Sequence, residues 1–328
     1  MRAPGFWTGG HGVAPMLLSP FAALYASATA RRMARLGWQA PVPVICCGNA
    51  TAGGAGKTTV AMDIGQRLAN RGVAAHFLLR GYGGRIKGPA RVDPASHDSV
   101  AVGDEALLLA DLRPTWVSAD RAAGGRAAVA AGAQAIVMDD GLQNPTLAKD
   151  LSLLVIDGAY GFGNGRIIPA GPLREPVAAA AARCGAAVLI GADEAGVLAQ
   201  LPPGLPLLRA RLQAGPEAAM LAGQPVFAFC GIASPRKFFA TLQESGAVLA
   251  GRESFADHYP YDEGDMRALL DQAAALRALP VTTRKDFVRI PPAFRARVSV
   301  VTVRLAWQEP AEIEALLDPL AARVPIPA

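Results

Sequence analysis

The stretch V-P-V-I-C-C-G-N-A-T-A-G-G-A-G-K-T-T, residues 42–59, decides the fold. Its first six residues are apolar and predict a buried strand. The residues after Lys57 continue as a helical pattern, with Val60, Ile64 and Leu68 on one face. A strand, a glycine-rich turn ending in Gly-Lys-Thr and a helix are, in this order, the context of a phosphate-binding loop. The sequence therefore predicts that the chain binds a nucleoside triphosphate.

The predicted phosphate-binding residues share this one loop and the first turn of its helix. They are Thr51, Ala52, Gly53, Gly54, Ala55, Gly56, Lys57, Thr58 and Thr59. Glycines let backbone N–H groups converge on an anion because no Cβ blocks the approach, and the helix N-terminus adds unpaired donors. We expect Lys57 to reach the terminal phosphates and the Thr58 hydroxyl to ligate Mg²⁺.

The loop departs from the usual G-x-x-x-x-G-K-[ST] pattern, which would place glycine where this chain has Thr51. Its G-G-x-G-K-T-T form resembles the branch of P-loop proteins that includes the partitioning ATPases. Those proteins carry lysine before the two glycines, at the position of Ala52. Both departures argue against the commonest ATPase classes.

Composition and charge narrow the function further. Over 328 residues, 52% hydrophobic and 18% charged residues indicate a globular chain that is long enough for two domains. The net charge of +5 favours an anionic partner: a nucleotide, a phosphorylated substrate or an anionic membrane surface. No basic run is interleaved with aromatic residues, so we do not expect nucleic acid as a partner. The four cysteines and four histidines lack zinc-site spacing.

An apolar segment lies near the N-terminus. Residues 13–30 carry no charged side chain, and Arg31, Arg32 and Arg35 follow them. The pattern predicts a helix over about residues 20–36, with Phe21, Leu24, Tyr25 and Ala28 on one face. Such a helix could lie in a membrane interface with its arginines near lipid phosphates, or it could pack on the protein's own core. The segment alone leaves both interpretations open.

Predicted strands alternate with helical segments along the chain, which indicates an α/β fold with a mostly parallel sheet. They cover residues 73–79, 115–118, 135–138, 151–156 and 186–190. Residues 201–224 are rich in Pro, Gly and Leu and suggest a boundary. Beyond it we expect strands at 226–229, 281–283 and 298–303, and a helix over 235–244. We therefore predict an N-terminal segment (1–40), a P-loop core (41–215) and a smaller α/β domain (216–328), with substrate in the cleft between the two domains.

Two carboxylates follow the predicted strand over residues 135–138. Asp139 and Asp140 at this place resemble a Walker B element, which holds Mg²⁺ opposite the loop threonine. Asp104 precedes a predicted helix, where the helix dipole alone would favour it. It becomes a candidate base only together with His258, because a histidine paired with a carboxylate can help to deprotonate a hydroxyl.

Seven motifs occur in an order that resembles the tetraacyldisaccharide 4′-kinase family of lipid A biosynthesis. They are G-N-A-T-A-G-G-A-G-K-T-T, R-G-Y-G-G, V-G-D-E-A-L-L-L-A, M-D-D-G-L-Q, P-A-G-P-L-R-E-P, F-C-G-I-A-S-P and D-H-Y-P-Y. The resemblance covers roughly residues 5–290. It implies transfer of the γ-phosphate of ATP to the 4′-hydroxyl of a lipid-linked glucosamine disaccharide 1-phosphate. It also implies work at the cytoplasmic face of the inner membrane of Gram-negative bacteria.

The resemblance also implies roles for particular residues. Asp104 would be the general base, assisted by His258. Phosphate and Mg²⁺ would be held by Lys57 and Thr58, with Asp139 and Asp140 near the metal. The substrate-side residues would be Arg80, Tyr82, Arg121 and Arg174, which meet phosphates or line the cleft. A T-x-K-D element is present at residues 283–286, and the sequence assigns it no physical role.

Two other functions stay open at this point. A switch ATPase of the partitioning type would explain the G-G-A-G-K-T-T loop, but not the D-H-Y motif in a second domain. Such an ATPase would need no disaccharide for turnover. A soluble P-loop kinase or ligase acting on a small metabolite would make the N-terminal helix a core element. Recovery of the protein entirely in the soluble fraction would favour it.

Overall fold

A computed structural model describes residues 4–9 and 12–324 of the chain. Within these ranges the backbone forms two sheets. The strands, in chain order, are β1 (Val44–Gly48), β2 (Ala75–Leu79), β3 (Ala90–Arg91), β4 (Thr115–Val117), β5 (Ala135–Asp139), β6 (Leu151–Asp157), β7 (Ala186–Ile190), β8 (Leu207–Ala214), β9 (Pro225–Cys230), β10 (Val248–Ser254), β11 (Leu279–Thr283), β12 (Ser299–Val301) and β13 (Val303–Trp307).

The α-helices lie mostly between these strands. They are α1 (Val13–Met33), α2 (Lys57–Asn70), α3 (Ser99–Val102), α4 (Asp104–Ala110), α5 (Arg121–Ala130), α6 (Val177–Ala181), α7 (Pro235–Glu244), α8 (Glu263–Ala275), α9 (Arg284–Phe287), α10 (Pro292–Arg295) and α11 (Pro310–Ala321). Short 3₁₀ turns occupy Gly5–Trp7, Leu198–Gln200 and Pro216–Leu221.

The larger sheet has the order β13-β8-β7-β6-β1-β5-β2-β4-β3. Its seven inner strands pair in parallel, and only β3 and β13, at the two edges, run antiparallel to their neighbours. The central strands are mostly apolar because helices cover both faces of the sheet. Adjacent Cys46 and Cys47 on β1 accordingly belong to two different core clusters. The prediction of a P-loop-type α/β fold is confirmed.

The smaller sheet has the order β10-β9-β11-β12 and is parallel throughout. Helix α7 packs on one face through Phe238 and Leu242, and α8 packs on the other through Met266 and Leu269. The strand expected over 226–229 and the helix expected over 235–244 are present, as β9 and α7.

The C-terminal part of the chain differs from expectation in two places. The apolar run 298–303 is not one strand: β12 ends in the smaller sheet, and β13 begins after Thr302 in the larger sheet. Residues 201–224 contain β8, an inner strand of the larger sheet. The smaller sheet therefore spans residues 225–301, and the chain then returns to the larger sheet. The division into three domains itself stays a prediction.

Strand β13 and helix α11 both contact α2, the helix that follows the phosphate-binding loop. Trp307 Nε1 donates to Oδ2 of Asp63 on α2 at 2.8 Å. Arg67 on α2 and Arg71, which directly follows that helix, both pair with the carboxylate of Glu314 on α11. Residues 307–314 thus hold the helix that follows the nucleotide loop, along its middle and C-terminal end.

Helix α1 starts at Val13, seven residues earlier than the sequence pattern predicts. By length and composition alone, it could cross a membrane. Its large apolar side chains are mostly exposed, with 70% of Leu17, 61% of Phe21 and 69% of Leu24 accessible. The second interpretation of this segment was that it packs on the protein's own core. That interpretation does not explain why these apolar side chains are exposed.

Candidate active site

The phosphate-binding loop is held open by its own glycines and by a neighbouring segment. Gly56 has φ of 86°, in the left-handed region, and α2 begins at the next residue. The N–H of Ala52 donates to the carbonyl of Pro172 at 2.8 Å, and the N–H of Arg174 donates to the carbonyl of Ala50 at 2.7 Å. Asn49 Nδ2 donates to the carbonyl of Gly53 at 3.3 Å. The P-A-G-P-L-R-E-P segment therefore positions the loop.

Lys57 lies inside this loop, with only 8% of its surface exposed. Its Nζ donates to the carbonyl of Gly53 at 3.3 Å and lies 3.8 Å from Oδ2 of Asp140. The ammonium thus sits between the loop and the carboxylates at the end of β5. A phosphate held by the loop would meet this cation directly.

Asp139 ends β5 and accepts a hydrogen bond at Oδ2 from the Thr58 hydroxyl at 2.7 Å. Its Oδ1 is buried and has no hydrogen-bond partner among the residues described. Burial raises the pKa of Asp139 to about 7, although Lys57 and Thr58 act in the opposite direction. A buried carboxylate oxygen without a donor, next to a threonine hydroxyl, fits a hard cation that prefers oxygen ligands, such as Mg²⁺.

No group of three or more His, Cys, Asp or Glu side chains within residues 4–9 and 12–324 is arranged to hold a metal ion. This does not conflict with a magnesium site, because Mg²⁺ keeps several waters and takes only one or two protein carboxylates together with substrate phosphates.

Asp140 forms a bidentate pair with Arg174, at 2.7 and 3.1 Å. Burial would raise the pKa of Asp140, but the charges of Lys57 and Arg174 outweigh this effect and hold the pKa below its ordinary value. At a pH below the pKa of Asp139, Asp140 therefore stays ionised while Asp139 is protonated. The two adjacent carboxylates differ in their environments and can serve different purposes.

Arg121 is buried at the start of α5, beside this pair. Its Nη1 donates to the carbonyl of Ser118 at 2.5 Å, and its Nη2 donates to the carbonyl of Asp140 at 3.4 Å. Burial lowers its pKa to about 10; Asp140 favours the charged form, whereas Arg80 opposes it. The Nε of Arg121 is buried without a described partner. Arg80 and Arg121 thus bring two positive charges close enough to affect each other, as is common where anions bind.

Asp104 is the first residue of α4, where it is 6% exposed. Gly103 before it has φ of 88°, and a Cβ there would lie 2.4 Å from the carbonyl oxygen of Tyr82. Only glycine permits this close approach, which packs the R-G-Y-G-G loop against the start of α4. Glu105, the next residue, lies close enough to Asp139 to raise its pKa. The start of α4 and the end of β5 therefore lie close to each other.

His258 reaches Asp104 from the other sheet. It follows β10 with φ of 61°, and its backbone N–H donates to the carbonyl of Gly231 at 3.1 Å. Its Nδ1 lies 2.8 Å from Oδ2 of Asp104. A non-glycine residue in the left-handed region is uncommon and is found preferentially at functional sites. The ring of Tyr82, which is exposed, lies 6.4 Å from the His258 ring.

A buried network supports this pair and was missed by sequence reasoning. Arg289 Nε lies 3.2 Å from Oδ2 of Asp104, and its Nη2 donates to Oδ1 of Asp286 at 2.9 Å. Asp286 is fully buried and also accepts from the N–H of Gly231 and the hydroxyl of Tyr261. The T-x-K-D element thus holds an arginine against Asp104. An arginine three residues after Asp286, in the turn that follows α9, was the available signal.

The structure therefore gathers the expected residues in two adjoining groups. One surrounds the phosphate loop, and it contains Lys57, Thr58, Arg121, Asp139, Asp140 and Arg174. The other joins the two sheets, and it contains Tyr82, Asp104 and His258. Further polar residues, to which the sequence analysis gave no individual role, complete the two groups: Asn49, Gln143, Glu175, Lys285 and Arg289.

A phosphate-binding loop after β1 and paired carboxylates at the end of adjacent β5 define a P-loop nucleotide-binding protein. The model of one P-loop kinase family, tetraacyldisaccharide-1-P 4′-kinase, matches residues 14–321. The chain belongs to this family of lipid kinases, as its seven motifs predicted.

Curated relatives and a solved structure agree with this assignment. The tetraacyldisaccharide 4′-kinase of Gluconacetobacter diazotrophicus is 60% identical over 97% of this chain and 98% of its own length. That of Rhodospirillum rubrum is 57% identical over 98% of both chains. A crystal structure of LpxK from Aquifex aeolicus, described as an apo form in complex with ATP, matches with a TM-score of 0.75 and 25% identity. It covers 93% of this chain and 99% of its own.

Proposed function

We propose that the protein transfers the γ-phosphate of ATP to the 4′-hydroxyl of a tetraacyldisaccharide 1-phosphate, a lipid A precursor. The observation that carries this proposal is the contact of 2.8 Å between Asp104 and His258, beside a phosphate-binding loop. A switch ATPase needs no base for a sugar hydroxyl, whereas a kinase with an alcohol acceptor does. Family membership supplies the identity of the acceptor.

The nucleotide would be held by the backbone amides of residues 51–59 and by Lys57. Mg²⁺ would be held by the Thr58 hydroxyl and Asp139, with Asp140 close by; when bound, it neutralises charge on the transferred phosphate. The buried oxygen of Asp139 and its contact with Thr58 support this assignment. Arg174 keeps Asp140 charged and directed toward Lys57.

The acceptor hydroxyl would lose its proton to Asp104. Both contacts described for this carboxylate, to His258 and to Arg289, are made by Oδ2. We therefore assign the proton of the hydroxyl to Oδ1. A base fixed on two sides needs no reorientation when the proton moves, and such positioning lowers the barrier of the transfer.

The acidic groups of nucleotide and lipid require cations around the reacting centre. Arg121 and Arg174 border the phosphate loop, and we assign them to phosphates. Arg80 and Tyr82 lie on an exposed loop next to Asp104, so we place them along the path of the acceptor. The exposed polar character of this loop suits a phosphorylated sugar headgroup.

The lipid acceptor requires access from a membrane. The exposed apolar face of α1, followed by Arg31 and Arg32, suits a helix in the interface of an anionic bilayer. We therefore place the protein at the cytoplasmic face of the bacterial inner membrane, where ATP is available. We expect no role for nucleic acid in this function.

Incubation of the protein with ATP and the disaccharide 1-phosphate lipid, followed by mass analysis of the lipid, tests the proposal. One added phosphate on the non-reducing sugar is the expected product. ATP turnover is measured in parallel without lipid. Turnover that is equally fast without acceptor, and a lipid of unchanged mass, would contradict the proposal and favour a switch ATPase.

A further inference from the structure

Lys285 lies close to the imidazole of His258 and to the carboxylates of Glu105 and Asp257. It is the second residue of α9, a short helix capped by the Thr283 side chain, which accepts from the N–H of Asp286. Its Nζ lies 3.3 Å from Nε2 of His258 and 3.3 Å from Oε1 of Glu105. It therefore connects α9, at the end of the smaller sheet, with α4, which carries Asp104.

The chemistry of these groups restricts the protons on His258. A lysine ammonium has three donors and no acceptor, and an ionised carboxylate has only acceptors. Nδ1 faces the carboxylate of Asp104, so Nδ1 must donate. Nε2 faces the ammonium of Lys285, so Nε2 must accept. Only a neutral imidazole with its proton on Nδ1 satisfies both contacts.

We propose that Lys285 is a positioning residue that keeps His258 neutral, with its single proton on Nδ1 and directed at Asp104. The proposal deepens the proposed kinase function and rests on it. A neutral imidazole orients the Asp104 carboxylate by a hydrogen bond without adding a second full positive charge beside it. Oδ2 of Asp104 then keeps its contacts with His258 and Arg289, and Oδ1 is left to take the proton of the acceptor hydroxyl.

Several groups around the ring act on its charge. Asp104 and Asp257, whose Oδ2 lies 3.8 Å from Nε2, favour a charged imidazolium. Lys285 disfavours it, and the Lys285 charge is partly balanced by Glu105 and Asp257. Arg289 balances part of the charge on Asp104 at 3.2 Å, and Tyr82 contributes an uncharged ring. Removal of Lys285 leaves the carboxylates to act on the ring without this opposing cation.

Nitrogen NMR of protein labelled at the histidine rings tests the proposal without depending on turnover. The chain has four histidines, and loss of one signal in the His258→Gln variant assigns the ring. At about pH 7.5 we expect a protonated Nδ1 and an unprotonated Nε2 in the wild type. In Lys285→Met we expect Nε2 to carry a proton at the same pH.

Arg284→Ala is the matched control. Arg284 neighbours Lys285 and pairs with Asp111 on the other side of the cleft, but it has no described contact with His258. Its spectrum should equal that of the wild type. A protonated Nε2 in the wild type, or an unchanged Nε2 in Lys285→Met, would overturn the proposal.

Kinetics give the second readout. We expect Lys285→Met to lower kcat about tenfold while KM for ATP changes less than about threefold. Lys285→Arg, which keeps a donor at Nε2, should recover part of the loss, and Arg284→Ala should lie within about threefold of wild type. A loss of kcat in Lys285→Met no larger than in Arg284→Ala would contradict the positioning role. Failure of the wild type to phosphorylate the lipid would contradict the proposed function instead, with the proton assignment still open to NMR.

Discussion

Nδ1 of His258 and Oδ2 of Asp104 lie 2.8 Å apart although 154 positions separate the two residues in the chain. Asp104 starts α4 beside the larger sheet, and His258 follows the edge strand of the smaller sheet. The contact depends on how the two sheets meet, because neither element contains both residues. Through this contact, the smaller sheet contributes directly to the site.

The two sides of the contact between the sheets carry opposite charges. The side contributed by residues 225–301 supplies cations or histidine, and the larger sheet supplies carboxylates. The pairs are Lys237 with Asp157, His258 and Arg289 with Asp104, Arg284 with Asp111, and Lys285 with Glu105. Exposed pairs such as Arg284 with Asp111 contribute little, so the more buried contacts of Asp104 with His258 and Arg289 matter most for how the two surfaces meet.

Lys57→Ala should abolish detectable transfer of phosphate to the lipid. The ammonium lies between the loop carbonyl of Gly53 and the carboxylate of Asp140, and no other lysine among the described residues contacts this loop. Its loss removes the cation nearest to the terminal phosphates. Product formation measured by mass checks this. Arg91→Ala, which removes an exposed cation elsewhere, should remain active, and transfer by Lys57→Ala at the wild-type rate would refute the assignment.

Asp139 should make the metal-free protein less stable as pH rises. Its pKa of about 7 in the folded state exceeds the value of about 3.9 expected when unfolded. The folded state therefore binds the proton more tightly. The stability it gains is full below about pH 3.9 and is lost as pH rises through 7. Asp139→Asn should remove this decline, which is on the order of a few kcal/mol at most.

Thermal unfolding between about pH 5 and 8, without Mg²⁺, measures this effect. Relative to wild type, Asp139→Asn should gain stability at the upper end of this range. Addition of Mg²⁺ and ATP should stabilise the wild type more than the variant, which lacks this carboxylate for the metal. Parallel pH profiles of the two proteins without Mg²⁺ would show that the carboxyl titrates normally.

Asp286→Ala should destabilise the protein by about 3–5 kcal/mol. The fully buried carboxylate accepts from Gly231 and Tyr261 and pairs with Arg289. Its removal leaves the buried Arg289 with only the Asp104 carboxylate, and it leaves the donors of Gly231, Tyr261 and Thr283 without this acceptor. Denaturant unfolding followed by fluorescence gives the value. Alanine at Asp271, which is exposed on α8, should change the free energy of unfolding by less than about 0.5 kcal/mol.

Glutamates on the exposed face of α1 should weaken membrane binding. Leu17 and Leu24 are about as exposed as any apolar side chain of the helix, and charges there oppose burial in a lipid interface. We expect Leu17→Glu/Leu24→Glu to lower co-sedimentation with anionic vesicles at least about tenfold. The matched control is Met220→Glu/Val248→Glu, which places the same charges on exposed apolar positions elsewhere. Equal binding by both double variants would show that α1 is not the contact.

The nucleotide half of the site could be read from the sequence because its parts are contiguous. Strand, loop and helix fall within residues 44–70, and the carboxylates of Asp139 and Asp140 directly follow a buried strand. Local periodicity and glycine placement specify such a unit almost alone. The acceptor half could not be derived in this way. Asp104 alone has the properties of a helix N-terminus, and only the fold brings His258 and Arg289 to it.

The errors of the sequence analysis have physical causes. Thr302 interrupts the apolar run 298–303, and its N–H and hydroxyl both donate to Glu217, which ends β12 and lets the chain change sheets. Prolines at 202, 203 and 206 precede β8, and they led to the prediction of a domain boundary there. Helix α1 starts at Val13 and contains Pro20, although proline is disfavoured inside a helix and tolerated mainly in its first turn.

Replacement of Asp104 by asparagine tests the central claim most directly. Asn keeps the size of the side chain and removes its ability to take a proton. We expect kcat for lipid phosphorylation to fall about 100-fold or more, while ATP affinity from an equilibrium titration stays within about threefold. Asp111→Asn, at the other end of the same helix, should retain wild-type kcat. Phosphorylation by Asp104→Asn at the wild-type rate would show that the proton of the acceptor goes elsewhere, and the account of the site would be wrong.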